Sequence, residues 1–287
     1  MSTIDKNTAH TENAKTRAVF FVSDRTGITA ENLGHALLTQ FSSIKFEQHS
    51  LPFIDSEKKA LQAANIINQL AQTSANQPLV FTTLIDDVYR KIIADTHAHI
   101  IDFFDAFIKP LEIELCMPSS HAKGLSHGIS NEVIYMSRMD AINFSLKNDD
   151  GISTKEYNNA DVILIGVSRS GKTPTCLYLA MQFGLRAANY PLTDSDMTNG
   201  KLPEILRPYQ DKLFGLIINA ERLRMIREIR MKNSEYASMA QCQKETRLID
   251  TLFKQEQIPH IDTSQISVEE IATSIIQRMK ISRPPLY

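Results

Sequence analysis

Residues 160–183, ADVILIGVSRSGKTPTCLYLAMQF, decide the fold of this 287-residue chain. A short apolar run comes first, a glycine-flanked polar loop follows, and an apolar segment with helical spacing begins at Cys176. This order predicts a buried strand, a tight loop and a helix. The loop matches the template G-x-x-x-x-G-K-[ST] at every fixed position, with Gly166, Gly171, Lys172 and Thr173. It therefore predicts a phosphate-binding loop, or P-loop.

The chemistry of phosphate binding explains these residue types. Successive backbone N–H groups must converge on phosphate oxygens, which favours glycine, and the helix that follows adds the positive end of its dipole. Lys172 supplies a cation for the outermost phosphate, and the hydroxyl of Thr173 is a candidate Mg²⁺ ligand. A plain helix entry is the alternative. The predicted nucleotide-binding residues are Gly166, Val167, Ser168, Arg169, Ser170, Gly171, Lys172 and Thr173.

Phosphoryl transfer also needs cations around the transferred group and a base for the acceptor hydroxyl. Arg169 and Lys172, both in the loop, are the candidate catalytic cations. Asp194, after the next strand, is the candidate base, although both it and Asp196 could simply cap a helix. A later basic helix carries arginines that either face a cleft or form a solvated face: Arg224, Arg227 and Arg230.

Composition excludes several classes of protein. Hydrophobic residues make up 43% and charged residues 22%, and the net charge of −2 predicts no nucleic-acid or membrane partner. Three widely spaced cysteines fit a reducing compartment better than a disulfide framework. The polar residues 1–15 predict a flexible tail and no signal peptide. We therefore expect a cytoplasmic protein.

Strand-like and helix-like segments alternate along the rest of the chain, which favours α/β units with mostly parallel sheets. The pattern predicts an N-terminal open α/β sheet at 16–116, a connector with a helix at 117–155, and a P-loop kinase-like α/β unit at 156–287. The last helix, SVEEIATSIIQRM, should begin with a capping box formed by Ser267 and Glu270.

A second loop in the N-terminal unit has the same context but no phosphate motif. The stretch FFVSDRTGITAEN predicts a strand, a short polar loop and a helix. It gives a candidate second anion or partner site at Ser23, Asp24, Thr26 and Gly27. A well-capped strand-to-helix turn is the alternative. His121 and His127, in the connector, are predicted to be ordinary loop residues because no other ligand types accompany them.

Several segments together resemble one family. FVSDRTGITAENLGHALLTQF, GVSRSGKTPTCLYLAMQFGLRAANYPL, LFGLIINAERLRMIREIR and SVEEIATSII are similar to the bacterial phosphoenolpyruvate synthase regulatory proteins, relatives of the plant pyruvate, phosphate dikinase regulator. The resemblance runs from about residue 17 to 284. It implies a kinase that phosphorylates a threonine of phosphoenolpyruvate synthase with ADP as donor, which releases AMP and inactivates the synthase. It also implies removal of that phosphate by inorganic phosphate, which yields pyrophosphate, and it suggests a homodimer.

The sequence departs from the family pattern at Asn148, where many relatives have His, and at Asn219, where close relatives often have Asp. Neither position is assigned a catalytic role. We expect one loop to serve both reactions, because ADP and pyrophosphate share a diphosphate. Two rival functions are an ATP-dependent small-molecule kinase, which would leave the N-terminal unit unexplained, and a nucleotide-sensing module that controls its partner by docking alone.

Overall fold

The structure, a computed structural model, describes residues 16–120, 132–151 and 154–282. These residues form two compact units, the first from 16–120 and the second from the rest. Each unit has a four-stranded parallel sheet flanked by helices, so the predicted α/β fold class is confirmed. The predicted tail at 1–15 and the two connector histidines, His121 and His127, lie outside the described residues.

The first unit is built around a fully parallel sheet. Its strands are β1 (Thr16–Val22), β2 (Lys45–Leu51), β3 (Leu79–Thr82) and β4 (His99–Asp102). Its helices are α1 (Ile28–Leu38), α2 (Glu57–Thr73), α3 (Asp87–Ala94) and α4 (Phe103–Leu115). The strand order is β2-β1-β3-β4. Phe20 packs in the core on one face of the sheet and Phe21 in the core on the other, so β1 is apolar and buried from Ala18 to Val22.

The second unit repeats this architecture. Its strands are β5 (Val162–Gly166), β6 (Ala187–Pro191), β7 (Leu213–Ile217) and β8 (His260–Asp262), in the order β6-β5-β7-β8. Its helices are α5 (Glu132–Lys147), α6 (Lys172–Phe183), α7 (Asp194–Thr198), α8 (Ala220–Arg230), α9 (Met239–Gln255) and α10 (Val268–Met279). Every residue of β5 is buried, because Ile163 and Leu164 enter the cores on opposite faces of the sheet. The apolar run that opens the quoted stretch is therefore a central strand.

The structure contains most of the predicted elements. The capping box at Ser267 and Glu270 is confirmed at the start of α10. The sequence pattern does not predict helix α4, which contains Pro110, or helix α9. PEILRPYQDKL at 203–213 has the pattern of a short helix, and the structure has a 3₁₀ helix there, over Glu204–Lys212, with Pro208 inside it. Proline removes a backbone donor, which favours the tighter and irregular form here.

The connector predicted at 117–155 contributes residues 132–151 and 154–155 to the second unit. Helix α5 packs against α6 and β6, and a 3₁₀ turn at Asp149–Gly151 packs against β6. The predicted domain boundaries stay predictions, but this packing brings the turn to the carboxyl edge of the second sheet. None of the described helices is both long enough and apolar enough to cross a bilayer.

The strand order of the second unit fixes where a ligand would bind. From β5 the chain passes to β6 on one side, and β7 and β8 lie on the other side of β5. Open α/β sheets bind ligands at such a reversal, outside the carboxyl ends of the two strands concerned. The loop at Gly166–Thr173 leaves β5 at this point.

Gly215, in β7, is expected to be intolerant of any side chain. A Cβ atom there would lie 2.4 Å from Cε2 of Phe253 and 2.9 Å from Cβ of His260. We expect Gly215→Ala to lower the free energy of unfolding by about 1–3 kcal/mol in urea titrations, since overpacking forces neighbours to shift. In the double variant with Phe253→Leu, the loss should be smaller than the sum of the two single losses. Additive losses would contradict this steric explanation.

Candidate functional site

The loop at residues 166–173 is shaped by two glycines. A Cβ atom on Gly166 would lie 2.6 Å from the backbone oxygen of Leu216, so only glycine lets β5 and β7 approach this closely. Gly171 has φ of 94° and forms the N-cap of α6. That left-handed conformation favours glycine and places the first turn of α6, with its unsatisfied N–H groups, at the loop. The loop therefore has the geometry expected of an anion site.

Lys172 lies buried across this loop, with 4% of its surface exposed. Its Nζ donates hydrogen bonds to the backbone oxygens of Gly166 (3.1 Å) and Val167 (2.8 Å). Burial lowers the pKa of Lys172 to about 8, although the carboxylates of Asp150 and Asp149 act in the opposite direction. The ammonium group is thus held by carbonyl oxygens that an anionic ligand could replace.

Thr173 contacts an acidic turn, Asp149–Gly151, to which no sequence motif points. Its Oγ1 donates to Oδ1 of Asp149 at 2.8 Å. Asn189, in β6, holds this turn from the other side, because its amide nitrogen donates to Oδ1 of Asp149 and its Oδ1 accepts from the backbone N–H of Asp150 at 3.0 Å. Two carboxylates therefore lie beside the loop, with Asp149 half-buried and Asp150 exposed.

A hydroxyl and a carboxylate oxygen are ligands that suit Mg²⁺, which usually keeps several waters as well. Thr173 and Asp149 therefore fit the predicted magnesium site. The residues NDDG at 148–151 favour a turn, but this turn precedes Thr173 by more than twenty residues. The packing of α5 against α6, and of the turn against β6, brings the two together.

Ser168 anchors the outer side of the loop to the helices behind it. Its backbone oxygen accepts from Nη2 of Arg227 (3.2 Å) and its Oγ accepts from the hydroxyl of Tyr236 (2.9 Å). Arg227 is fully buried and forms a two-point ion pair with Glu245. Of the three arginines proposed for a basic face, only Arg224 and Arg230 are exposed; Arg227 belongs to the interior.

The two aspartates that follow β6 have different roles. Asp196 forms a capping box with Thr193 at the start of α7, as the capping alternative predicts. Asp194 accepts hydrogen bonds from Nε2 of Gln241 at 3.0 and 3.1 Å and lies 3.8 Å from Nζ of Lys244. The described partners of the Asp194 carboxylate are thus in α9. Arg169, the other candidate catalytic residue, is exposed on the loop itself. A catalytic role for Asp194 stays a prediction.

The candidate second site lies in the first unit. Ser23 and Asp24 are buried after β1, and Thr26 is exposed. Ser23 Oγ accepts from Oγ1 of Thr83 (3.1 Å), which follows β3. Gly27, with φ of 81°, is the N-cap of α1, so this cap has no side chain of its own. The hydrogen bond between Ser23 and Thr83 joins the ends of the neighbouring strands β1 and β3. An anion or partner site here stays a prediction.

Fold and site together define a two-unit α/β protein with doubly wound parallel sheets and a glycine-flanked lysine–threonine loop at the switch point of the second sheet. The model of the kinase/pyrophosphorylase family matches residues 19–276, and the chain belongs to this family.

Curated relatives extend over nearly the whole chain. One from Alkalilimnicola ehrlichii is 53% identical over 267 residues, which cover 93% of this chain and 97% of the relative. One from Pseudomonas fluorescens is 50% identical over 93% of this chain and 98% of the relative. One from Legionella pneumophila (strain Corby) is 49% identical over 91% of this chain and 96% of the relative. All three bear the name "Putative phosphoenolpyruvate synthase regulatory protein". The resemblance of the sequence to the phosphoenolpyruvate synthase regulatory proteins is therefore confirmed.

The lowered pKa of Lys172 predicts a pH dependence of diphosphate binding. A lysine with a pKa of about 8 in the free protein loses its charge as the pH rises through 8. Only the charged form attracts a diphosphate, so the affinity for ADP, measured by calorimetry, should fall about eightfold between pH 7.5 and pH 9. Lys172→Arg is the control, since arginine stays charged over this range. An equal fall in both proteins would contradict the assignment to Lys172.

Proposed function

We propose that this chain is a bifunctional regulator of phosphoenolpyruvate synthase. It transfers the β-phosphoryl group of ADP to a threonine of the synthase, which releases AMP and inactivates that enzyme. It also removes this phosphate with inorganic phosphate, which gives pyrophosphate and restores activity. Support comes from the family, from the relatives' names and above all from one observation: the Thr173 hydroxyl meets Asp149 beside the buried ammonium group of Lys172.

The forward step is an in-line phosphoryl transfer. The threonine oxygen attacks the β-phosphorus of ADP, the bond from that phosphorus to the bridging oxygen breaks, and AMP leaves with the bridging oxygen. The hydroxyl proton passes to a carboxylate of the site. Lys172 exchanges its two carbonyl acceptors for phosphate oxygens, and the N–H groups of the first turn of α6 share the remaining charge.

The reverse step uses the same groups. An oxygen of inorganic phosphate attacks the phosphorus of the phosphothreonine, the bond to the threonine oxygen breaks, and that oxygen takes up the proton that the phosphate loses. Both steps place two adjacent phosphoryl groups along one loop, so a single set of donors can serve both. Magnesium held by Thr173 and Asp149 would neutralise charge on these phosphoryl groups.

Two carboxylates compete for the role of general base. Asp194 accepts hydrogen bonds from Gln241 and lies near Lys244, so the described contacts of its carboxylate are with α9 and not with the loop. Asp150 is exposed, and its charge acts on Lys172 more strongly than that of Asp149 does. Because Asp149 already contacts Thr173, we assign Asp149 to the metal and the exposed Asp150, next to it in the turn, to the proton.

The central test measures AMP released when the protein is incubated with ADP, Mg²⁺ and phosphoenolpyruvate synthase. We expect AMP to appear with phosphorylation of the synthase, and pyrophosphate to form when inorganic phosphate is added to the phosphorylated synthase. Lys172→Ala should abolish both reactions, since one ammonium group serves both. Loss of the kinase reaction alone would show two separate sites.

The same assay separates the rival functions. A small-molecule kinase would consume ATP without modifying the synthase, and a docking module would bind ADP tightly and release no AMP. Either result would contradict the proposal.

Asp150→Asn and Asp194→Asn distinguish the two candidate bases. Asp150 has φ of 50°, a conformation that asparagine tolerates well, so the first substitution removes the base with little strain. We expect Asp150→Asn to slow AMP release by about 10²-fold or more. Asp194→Asn should change the rate less than about threefold, since its carboxylate is tied to α9. The opposite ranking would restore Asp194 as the base.

A further inference from the structure

Arg227, in α8, is a buried cation that the phosphoryl-transfer steps do not use. None of its surface is exposed. Its Nη1 and Nη2 lie 2.9 Å and 2.6 Å from the two carboxylate oxygens of Glu245, in α9. Replacing such a buried ion pair by well-packed apolar residues is often neutral or stabilising, so stability alone is a weak explanation for it.

The guanidinium also reaches the 166–173 loop. Nη2 donates to the backbone oxygen of Ser168 at 3.2 Å, and Nη1 donates to the backbone oxygen of Tyr236 at 3.0 Å. The ring of Tyr236 lies 4.0 Å from the guanidinium carbon, and its hydroxyl donates to Ser168 Oγ at 2.9 Å. Ser168 is therefore held at two atoms by two side chains that contact each other.

This anchor acts on the most strained residue of the loop. Arg169 has φ of 77°, a left-handed conformation that is unfavourable for a residue with a Cβ atom. In a trans peptide the carbonyl and the following N–H point in opposite directions. Holding the Ser168 oxygen against Arg227 therefore turns the N–H of Arg169 away from the buried pair, toward the exposed side of the loop.

We infer that Arg227 is a positioning residue for diphosphate binding: it fixes the peptide between Ser168 and Arg169 so that the loop is ready for phosphate before the ligand arrives. This inference rests on the proposed function, because it concerns the loop that holds ADP. Preorganisation of this kind raises affinity by removing the ordering cost from the binding step. Lysine at position 227 would keep a charge for Glu245 but lose the fork that reaches Ser168 and Tyr236 simultaneously.

The test is a double-mutant cycle on ADP affinity, measured by calorimetry with Mg²⁺ on the full chain. Arg227→Lys should weaken ADP binding about tenfold. Without the anchor, ADP binding itself must bring Arg169 into its left-handed conformation, and the cost of that conformation corresponds to roughly this factor. Arg169→Gly weakens binding by itself through the lost side chain, but glycine adopts a positive φ without strain. In the Arg169→Gly background, Arg227→Lys should therefore cost less than about threefold.

Two controls separate positioning from general destabilisation. Arg222→Met, at an exposed arginine of the same helix, should leave the affinity unchanged. Tyr236→Phe removes only the hydroxyl that donates to Ser168, so it should weaken ADP binding about threefold while the melting temperature stays within a few degrees of the parent protein. This variant carries the test if Arg227→Lys does not fold.

The outcomes are distinct. If the parent chain binds ADP but Arg227→Lys or Tyr236→Phe has no effect, or if Arg227→Lys has the same effect in both backgrounds, the inference is wrong and the proposed function stands. If the parent chain binds no ADP, the proposed function fails and this inference fails with it.

Discussion

The close approach of two backbones at Gly166 is the constraint on which the site depends. There β5 and β7 lie so near that a Cβ atom would overlap the backbone oxygen of Leu216. The chain must then turn into α6 within five residues, which places Arg169 and Gly171 at positive φ. Backbone shape, more than any side chain, thus determines where Lys172 and Thr173 meet the carboxyl edge of the sheet.

Charge in the second unit is balanced around that edge. A buried lysine is costly unless polar groups receive it, and two loop carbonyls and the nearby acidic turn do so here. The acidic turn is held in place by Asn189, a fully buried amide in the middle of β6. Lys172 and Asp149 are therefore held by groups of the protein itself, which is the kind of preorganisation that electrostatic catalysis uses.

Local patterns allowed much of this to be predicted from the sequence. The uninterrupted apolar run of β5, the glycines of the loop and the capping box at Ser267 and Glu270 each express a local rule, and all three are present. Helix α4 was not predicted because Pro110 interrupts its helical sequence pattern. Its start also follows β4 directly, without a linking turn.

The contacts that complete the site depend on tertiary structure. The spacing of Arg224, Arg227 and Arg230 indicates a basic helix but not which member is buried, because that depends on Glu245 in a helix that was not predicted. Asp149 lies far from Thr173 in the sequence and meets it only through the packing of α5. Sequence spacing therefore located the loop and missed the residues that face it.

A comparison of the two units shows what the second loop adds. Both sheets have the same strand order, and in both a left-handed glycine, Gly27 or Gly171, caps the helix after the first strand. The next residue is Ile28 in α1 and Lys172 in α6. The fold thus provides a helix N-terminus at the switch point of each sheet, whereas, among the residues that the structure describes, only the second has a buried cation there. The two loops share their position in the fold, so the features that distinguish the second are this lysine and the acidic turn beside it.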